Sequence, residues 1–329
     1  MQDKVSIIIP AFNVEKYVEC GIESALGQTY ENVELVVVDD GSSDGTWGVI
    51  ERYASDNRVK CARQANSGVS KARNRALDMA TGDYAVFLDS DDWLELDTCE
   101  QLVRMQRKHP NMLVAATAYF VTMDEGREGR KAQGTNLAAR AFTPDEAIRE
   151  FGVFDSVHIG SSCYKLFSMD IIEKNHLRFD EYISHTEDGL FVFDYLKCCA
   201  GLYYEPIPLW NILERPGSAT TSGYTRKMLS SLDAIDQMIS GPGNSPDAIA
   251  HLEAFRAHEA LRVLGLGIDS GDMTEGDRRA LLDALSDGKV DRARLSGVDK
   301  VRLALYPNAP AFLSRAFNGF VAHAKKGGN

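Results

Sequence analysis

Apolar residues in the first half of the chain fall in short, nearly unbroken runs, each followed by a stretch with helical spacing. Val5 to Ile9 is the first run and ends at Pro10; Val14, Val18, Ile22 and Ala25 then recur at the interval of an amphipathic helix. Val33 to Val38 is a second run, closed by Asp39-Asp40-Gly41. Thr46 to Tyr53 reads as helix, Val59 to Ala62 as a short extended segment and Ser70 to Met79 as helix again. Tyr84 to Leu88 makes a further strand, halted by Asp89-Ser90-Asp91-Asp92, and Leu113 to Val121 is the last clear apolar strand of this half. Strands that alternate with helices and are apolar along their length predict an α/β fold with a mainly parallel sheet covered by helices.

Residues 123 to 140, rich in Gly, Arg, Lys and Asn with little periodicity, read as a mobile loop or an excursion. Thr143-Pro144-Asp145-Glu146 then opens a short helix, with Thr143 as N-cap and Pro144 in the first turn. After Arg215-Pro216-Gly217-Ser218 the character changes. From about Thr225 the chain is helical, with breaks near Ser240 to Ser245, around Ser270 and around Gly288. The expected organisation is an α/β domain over residues 1–222 and a helical C-terminal region over 223–329.

A length of 329 residues exceeds what one hydrophobic core usually serves, in keeping with that division. Lys and Arg number 36 against 48 Asp and Glu, a net charge of -12, so the basic surplus that a nucleic-acid backbone demands is missing. A nucleotide needs only one cation and a local basic cluster, and is not excluded. No run approaches the ~20 apolar residues of a membrane-crossing helix, and the apolar strand after Met1-Gln2-Asp3-Lys4 is too short for a signal-peptide core. The cysteines (Cys20, Cys61, Cys99, Cys163, Cys198 and Cys199) form no C-x-x-C pair. That argues against a disulfide scaffold or zinc ribbon and for reduced thiols in a cytoplasmic protein.

In an open α/β sheet ligands bind beyond the carboxyl ends of the strands, so the polar residues there carry the candidate chemistry. They are Pro10-Ala11-Phe12-Asn13, Asp39 to Thr46, and Asp89-Ser90-Asp91-Asp92. Carboxylates gathered on one rim repel, and a divalent cation relieves the repulsion. All-oxygen ligands favour Mg or Mn over Zn, and such a cation usually completes its shell with phosphate oxygens. Asn66 to Arg75 places Gly68 and Ser70 at a helix start with Lys71 and Arg73 nearby, which suits a diphosphate. Glu187-Asp188 precedes the apolar Leu190 to Phe193. Each piece has an ordinary explanation when taken singly: an Asx turn, a capped surface helix, acids favouring a helix dipole.

Taken together, their order and spacing resemble the inverting glycosyltransferases of family 2. Pro10 to Asn13 matches that family's P-x-(Y/F)-N, and Val38 to Thr46 its V-D-D-G-S-x-D-G-T. Asn66 to Asn74 matches N-x-G-x-S-x-A-R-N without gaps, and Leu88 to Asp92 matches L-D-x-D-D. Glu187 to Phe191 matches E-D-x-x-F, and Arg215 to Ser218 matches R-x-G-S. The likeness covers roughly residues 4–222. It implies a GT-A fold, a Rossmann-like mainly parallel sheet flanked by helices, with a nucleotide-sugar half over about 1–122 and an acceptor half over about 123–222. It implies transfer of a hexose from a UDP-sugar to the hydroxyl of a saccharide or lipid-linked saccharide, with inversion and with a Mn or Mg ion. Cell-surface polysaccharide or glycolipid synthesis is the implied setting.

By the same resemblance Asp39 holds the uracil, and Pro10, Ala11 and Phe12 line base and ribose. Asn13, Asp40, Gly68 and Ser90 lie on the donor side, where Lys71 and Arg73 are contacts and Asp89 faces ribose or sugar. Asp91 is the metal ligand and Asp188 the general base. Asp92, Tyr164, Lys165 and Glu187 lie on the acceptor side. Many relatives read W-N-K-L-(Y/F) where this chain has Cys163-Tyr164-Lys165-Leu166-Phe167; the lysine is kept and Trp and Asn are not, so the acceptor stays open.

Two alternatives compete. A haloacid-dehalogenase-like phosphohydrolase also sets D-x-D after an apolar strand, but on its first strand and with Thr or Val where Trp93 stands here. An inactive nucleotide-binding relative is the non-enzyme alternative, against which Asp89, Asp91 and Asp188 weigh. A nicotinamide dehydrogenase would need G-x-G-x-x-G after the first strand. His185, His251 and His258 are assigned no metal. Ala311 to Lys326 carries Phe312, Phe317, Phe320 and Val321 beside Arg315, Lys325 and Lys326. Such a helix ordinarily packs on its own protein or in a dimer; the alternative is in-plane contact with the inner membrane face.

Overall fold

The computed structural model describes residues 2–124, 127–132, 138–151, 159–215, 223–286, 291–306, 314–319 and 321. The first two apolar runs form β1 (Val5–Ala11) and β2 (Val33–Asp39), each buried along its whole length. That burial is what a strand without polar alternation requires. Between them runs α1 (Val18–Leu26), which turns Val18, Ile22 and Ala25 inward. There follow α2 (Thr46–Glu51), β3 (Val59–Arg63), α3 (Val69–Met79), β4 (Tyr84–Phe87), β5 (Trp93–Leu94) and α4 (Thr98–Lys108). The order continues with β6 (Leu113–Asp124), β7 (Arg127–Ala132), β8 (Arg140–Phe142), α5 (Pro144–Arg149), β9 (Lys165–Ser168), α6 (Met169–Lys174), α7 (Glu187–Leu196) and β10 (Leu202–Glu214).

The strands form one mixed, mostly parallel sheet in the order β3-β2-β1-β4-β9-β6-β10-β5, with β7 on β6 and β8 on β10. β3, β2, β1 and β4 are mutually parallel. The chain leaves β1 to one side for β2 and β3, then crosses to the other side for β4. This reversal opens a crevice beyond the carboxyl ends of the strands. Short β9 is antiparallel to both β4 and β6 and joins the two parts of the sheet.

The mobile loop or excursion expected over residues 123–140 is in part strand. β6 runs on to Asp124, β7 pairs antiparallel with it from Tyr119↔Ala132 to Asp124↔Arg127, and Arg140–Phe142 pairs with β10. The sequence Arg-Glu-Gly-Arg-Lys-Ala has no strand pattern of its own; its neighbour holds it extended, and charge suits an edge position. Residues 125–126 and 133–137 lie outside the described residues. β10 also escaped the pattern, because Pro206 and Pro208 interrupt it. The structure accommodates them at register shifts on either side of Pro208, where a missing N–H is tolerated. α5 begins with the expected cap: Thr143 and Glu146 form a reciprocal capping box, with Pro144 at the first position.

The chain divides into two compact units, Met1–Glu181 with Glu187–Pro216, and Tyr182–Thr186 with Gly217–Asn329. The second contains α8 (Ser230–Ser240), α9 (Pro246–Ser270), α10 (Glu275–Ser286) and α11 (Gly297–Leu305). Its core gathers Leu232, Leu261, Leu264, Leu281 and Tyr306. Ser245 caps α9, and Gly271, in the left-handed region at φ 77°, ends it. His258 bonds Asp299 at 2.8 Å, and His251 lies between Asp247 and Arg294. Of the amphipathic C-terminal segment, residues 314–319 are tied to α9. Arg315 Nε donates to Ile268 O at 2.7 Å, and Asn318 Nδ2 donates to Asp269 at 3.0 Å. Phe312, Phe320, Lys325 and Lys326 lie outside the described residues. Among the described residues no helix is long and apolar enough to cross a membrane.

Candidate functional site

The ends of β1 and β2 are stitched together. Asn13, at φ 52°, donates its N–H to Ser42 Oγ at 2.9 Å, and its side-chain oxygen accepts from Ser43 N at 2.9 Å. Pro10 and Ala11 are buried, whereas Phe12 is 46% exposed and offers a flat apolar face at the rim. Asp39 and Asp40, adjacent and both buried, make different contacts. Asp39 Oδ1 accepts from Ser42 N at 3.1 Å and from the Ser42 hydroxyl, and its Oδ2 lies 2.9 Å from Arg63 Nε. Asp40 accepts from Gln64 Nε2 at 2.8 Å, Ser67 N at 2.9 Å and Gly68 N at 2.8 Å. It therefore pins the loop that leads into α3. Gly41, at φ 75°, must be glycine: a Cβ there would sit 2.5 Å from Asn66 N. Gly68, at φ 97°, is exposed at the start of α3, and Lys71 on the first turn reaches Glu181 at 3.5 Å.

One buried arginine joins three carboxylates. Arg73 Nη1 lies 3.1 Å from Glu187 and 2.5 Å from Asp188, both on the first turn of α7, and Nη2 lies 3.2 Å from Asp89 beyond β4. The guanidinium also lies 5.2 Å from the Phe179 ring centre. Asp188 Oδ2 accepts from Ser162 N at 3.2 Å. Desolvation raises Glu187 to about 7, with Asp188 adding to the shift and Arg73 opposing it. Desolvation raises Asp89 as well, again against Arg73. The contrast is Glu34 on β2, whose buried carboxylate is bonded to Lys4, Ser6, Thr81 and Lys60 and held down to about 2 despite desolvation. A carboxylate cluster that serves only the fold is satisfied in that way; the cluster around Arg73 is not.

Asp91 meets Arg215 at the end of β10, and both contacts fall on Oδ2: Nε at 2.9 Å and Nη2 at 2.8 Å. Arg215 also lies 4.6 Å from the Tyr17 ring centre. Oδ1 is left as the atom able to ligate a cation. Gly217 and Ser218, which complete the R-x-G-S match, lie outside the described residues. Among the described residues no three His, Cys, Asp or Glu side chains converge as a metal cage. A cation here would take one or two carboxylates and complete its shell from a diphosphate, which fits Mg or Mn. Ser90 lies between the two acids, partly buried. Asp92 is buried and accepts from Leu213 N at 3.0 Å, joining this turn to β10; desolvation and Asp89 push it well above the usual carboxylate range. Tyr164, at φ 64°, is buried edge-on against Trp210. Lys165 is fully buried, its Nζ on the carbonyls of Ser161 and Cys163, so it presents no charge at the surface.

Residues 6–175, over half of the chain, match the family model described as Glycosyl transferase family 2. The chain belongs to that family. Its members are inverting, nucleotide-sugar-dependent glycosyltransferases, and they typically use a divalent cation. Over 210 residues the chain is 30% identical to EpsH of Bacillus subtilis (strain 168), covering 63% of this chain and 60% of EpsH. Over 197 residues it is 29% identical to the poly(ribitol-phosphate) beta-N-acetylglucosaminyltransferase TarP of Staphylococcus aureus (strain N315), covering 59% and 57%. The chain thus matches less than two thirds of the length of either relative. The crystal structure of S. aureus TarS 1-349 in complex with UDP-GlcNAc is similar at a TM-score of 0.67 and 21% identity, over 98% of this chain and 92% of that one. That likeness bears out the GT-A fold. Family membership also removes the haloacid-dehalogenase alternative, whose D-x-D would stand on the first strand rather than after β4.

Several residues singled out in the sequence lie together. The structure brings Arg73, Asp89, Glu187 and Asp188 into contact, and places Asp39, Asp40, Gly68 and Asn13 on the joined ends of β1, β2 and α3. Arg63, Ser162 and Tyr17 are among the partners that were missed. Arg63 was detectable in principle, since it closes β3 directly opposite Asp39 in register. Ser162, a backbone donor, and Tyr17, beneath Arg215, carry no sequence signal.

The raised Glu187 predicts a stability effect with a definite sign. Between its ordinary value of 4.5 and about 7 the folded state holds a proton that the unfolded state has lost, so stability falls as pH rises through that window. Glu187→Gln removes the effect. Its stability in denaturant should exceed that of the parent by ~1–3 kcal/mol at pH 8, with the difference gone near pH 4.5. An equal difference at both pH values would rule out linkage as the cause.

Proposed function

We propose that this chain transfers a hexose or N-acetylhexosamine from a UDP-sugar to an acceptor hydroxyl with inversion, with a divalent cation, in the synthesis of a cell-surface polysaccharide or glycolipid. The observation that carries this reading is the buried Arg73, which joins the D-x-D turn after β4 to the acidic first turn of α7. A charge-balanced carboxylate beside a nucleotide crevice is what inverting transfer needs.

A sugar hydroxyl is a poor nucleophile at neutral pH, so a carboxylate must accept its proton as attack proceeds. Asp188 takes that role: Oδ1 is on Arg73, Oδ2 on Ser162 N, and each oxygen keeps a further lone pair. Asp39 and the exposed face of Phe12 hold the base, and Asp40 fixes the loop that presents Gly68 and Lys71 toward the donor. Asp91, through Oδ1, would hold the cation that offsets charge on the departing diphosphate. Arg73 stabilises the same region from the Asp89 side. The acceptor reading follows TarP, whose acceptor is a polyol-phosphate polymer by its name; a hydroxyl on a polymer or lipid-linked saccharide is the class proposed. The cytoplasm is the proposed compartment, in keeping with six cysteines of which none is in a disulfide.

Calorimetric titration of UDP, GDP, CMP and TDP, each with and without Mn, tests the donor and cation assignments together. UDP should bind tightest and need Mn, and Asp91→Ala should lose the Mn-dependent part while retaining the fold. UDP binding indifferent to Mn, or no preference for UDP, would refute the cation role or the donor class respectively.

A further inference from the structure

The N–H that meets Asp188 Oδ2 belongs to Ser162. The same peptide unit carries the Ser161 carbonyl, and in a trans peptide the two groups point in opposite directions from one rigid plane. Ser161 O, on the far side of that plane, accepts from Lys165 Nζ at 2.6 Å. Cys163 O accepts from the same nitrogen at 3.3 Å. Lys165 is fully buried at the start of β9. Desolvation pushes this amine down to about 7, so a group whose charge is costly here is held on two carbonyls, while the pairing of β9 with β4 and β6 is made by backbone.

We propose that Lys165 is a positioning residue for Asp188, acting through the Ser161–Ser162 peptide plane: its Nζ anchors the carbonyl, and the plane aims the opposite N–H at the carboxylate. Other anchors of the turn bear on different groups. Tyr164 O accepts from Ala116 N at 2.8 Å, which ties the turn to β6, and Cys163 N donates to Ser161 Oγ at 3.1 Å. Neither contact falls on the Ser161 carbonyl or the Ser162 N–H. A donor on the carbonyl also polarises the amide and strengthens its N–H toward the carboxylate.

The inference rests on Asp188 as the base, and two measurements separate the two readings. Amide exchange followed by NMR reads the Ser162 N–H without catalysis. Lys165→Met should speed Ser162 exchange about tenfold or more while amides of β1 and β2 keep their protection; unchanged exchange at Ser162 overturns the proposal. The second is a double-mutant cycle on UDP release from whichever of UDP-glucose, UDP-galactose and UDP-N-acetylglucosamine is hydrolysed fastest. Lys165→Met should lower kcat about tenfold or more, leave UDP affinity within about twofold, and add nothing to Asp188→Asn. Additive losses would mean that Lys165 acts elsewhere, and overturn the proposal. Undiminished turnover in Asp188→Asn alone would remove the base reading, and the positioning role with it, whatever the exchange data say of the lysine contact. Should Lys165→Met not fold, Lys165→Gln, whose amide donor is one bond shorter, enters both measurements, with smaller changes in the same directions expected.

Discussion

Replacing Asp188 with asparagine is expected to lower transfer by roughly 10²–10⁴-fold, the usual range for losing a general base, while UDP affinity stays within a few-fold. Both Asp188 oxygens accept hydrogen bonds, Oδ1 from Arg73 and Oδ2 from Ser162 N. An amide has one accepting oxygen, so its NH2 group must turn toward one of those donors. The variant therefore also loses about 1–3 kcal/mol in stability to the mismatched contact, and its denaturation curve should be recorded beside the kinetics. UDP release and calorimetric UDP binding separate the two roles. If UDP affinity falls as far as the rate, Asp188 serves donor binding and the base lies elsewhere. The neighbouring Glu187 is a poorer base at neutral pH on this account, because burial holds part of it protonated up to about 7.

The second large effect concerns stability. Arg73→Ala leaves Asp89, Glu187 and Asp188 without their shared counter-charge. Removing one partner of a buried ion cluster costs about 3–5 kcal/mol, enough to consume a large part of a domain's stability. Arg73→Lys should recover little, because a single ammonium cannot reach carboxylates that now divide between two guanidinium nitrogens. The sign with pH follows from linkage. Asp89 and Glu187 are already raised, and Arg73 is what opposes the shift; without it they bind protons still more readily in the folded state than in the unfolded one, so the variant gains stability as pH falls. Urea denaturation at pH 8 and pH 5 should show the deficit shrinking at the lower pH. A deficit equal at both would mean that Arg73 acts through packing on Phe179 rather than charge.

The alternation of apolar runs and helical spacing carried the parallel half of the sheet, because a strand buried on both faces must be apolar throughout and β1 and β2 are buried at every position. The cap at Thr143 with Glu146 was equally legible, because it uses local chemistry within one turn; Ser245, read only as the end of a break, caps α9 by the same chemistry. Motif residues at the strand ends were found for the same reason, since the ends of β2 and β4 hold their carboxylates within a few residues and Asn13 stands just past β1. What escaped depends on neighbours far along the chain. β7 is strand only because β6 pairs with it, and β10 absorbs two prolines only because its register can shift against β6. The division of labour between Asp39 and Asp40 follows from which backbone groups each can reach. The candidate site is made of contacts between Arg73 and Asp188 and between Asp91 and Arg215, more than a hundred positions apart. Local periodicity and spacing report which residues one turn or one strand end presents. Which distant groups then share a charge, lose their water and shift their protonation is settled by packing, for which the linear pattern has no term.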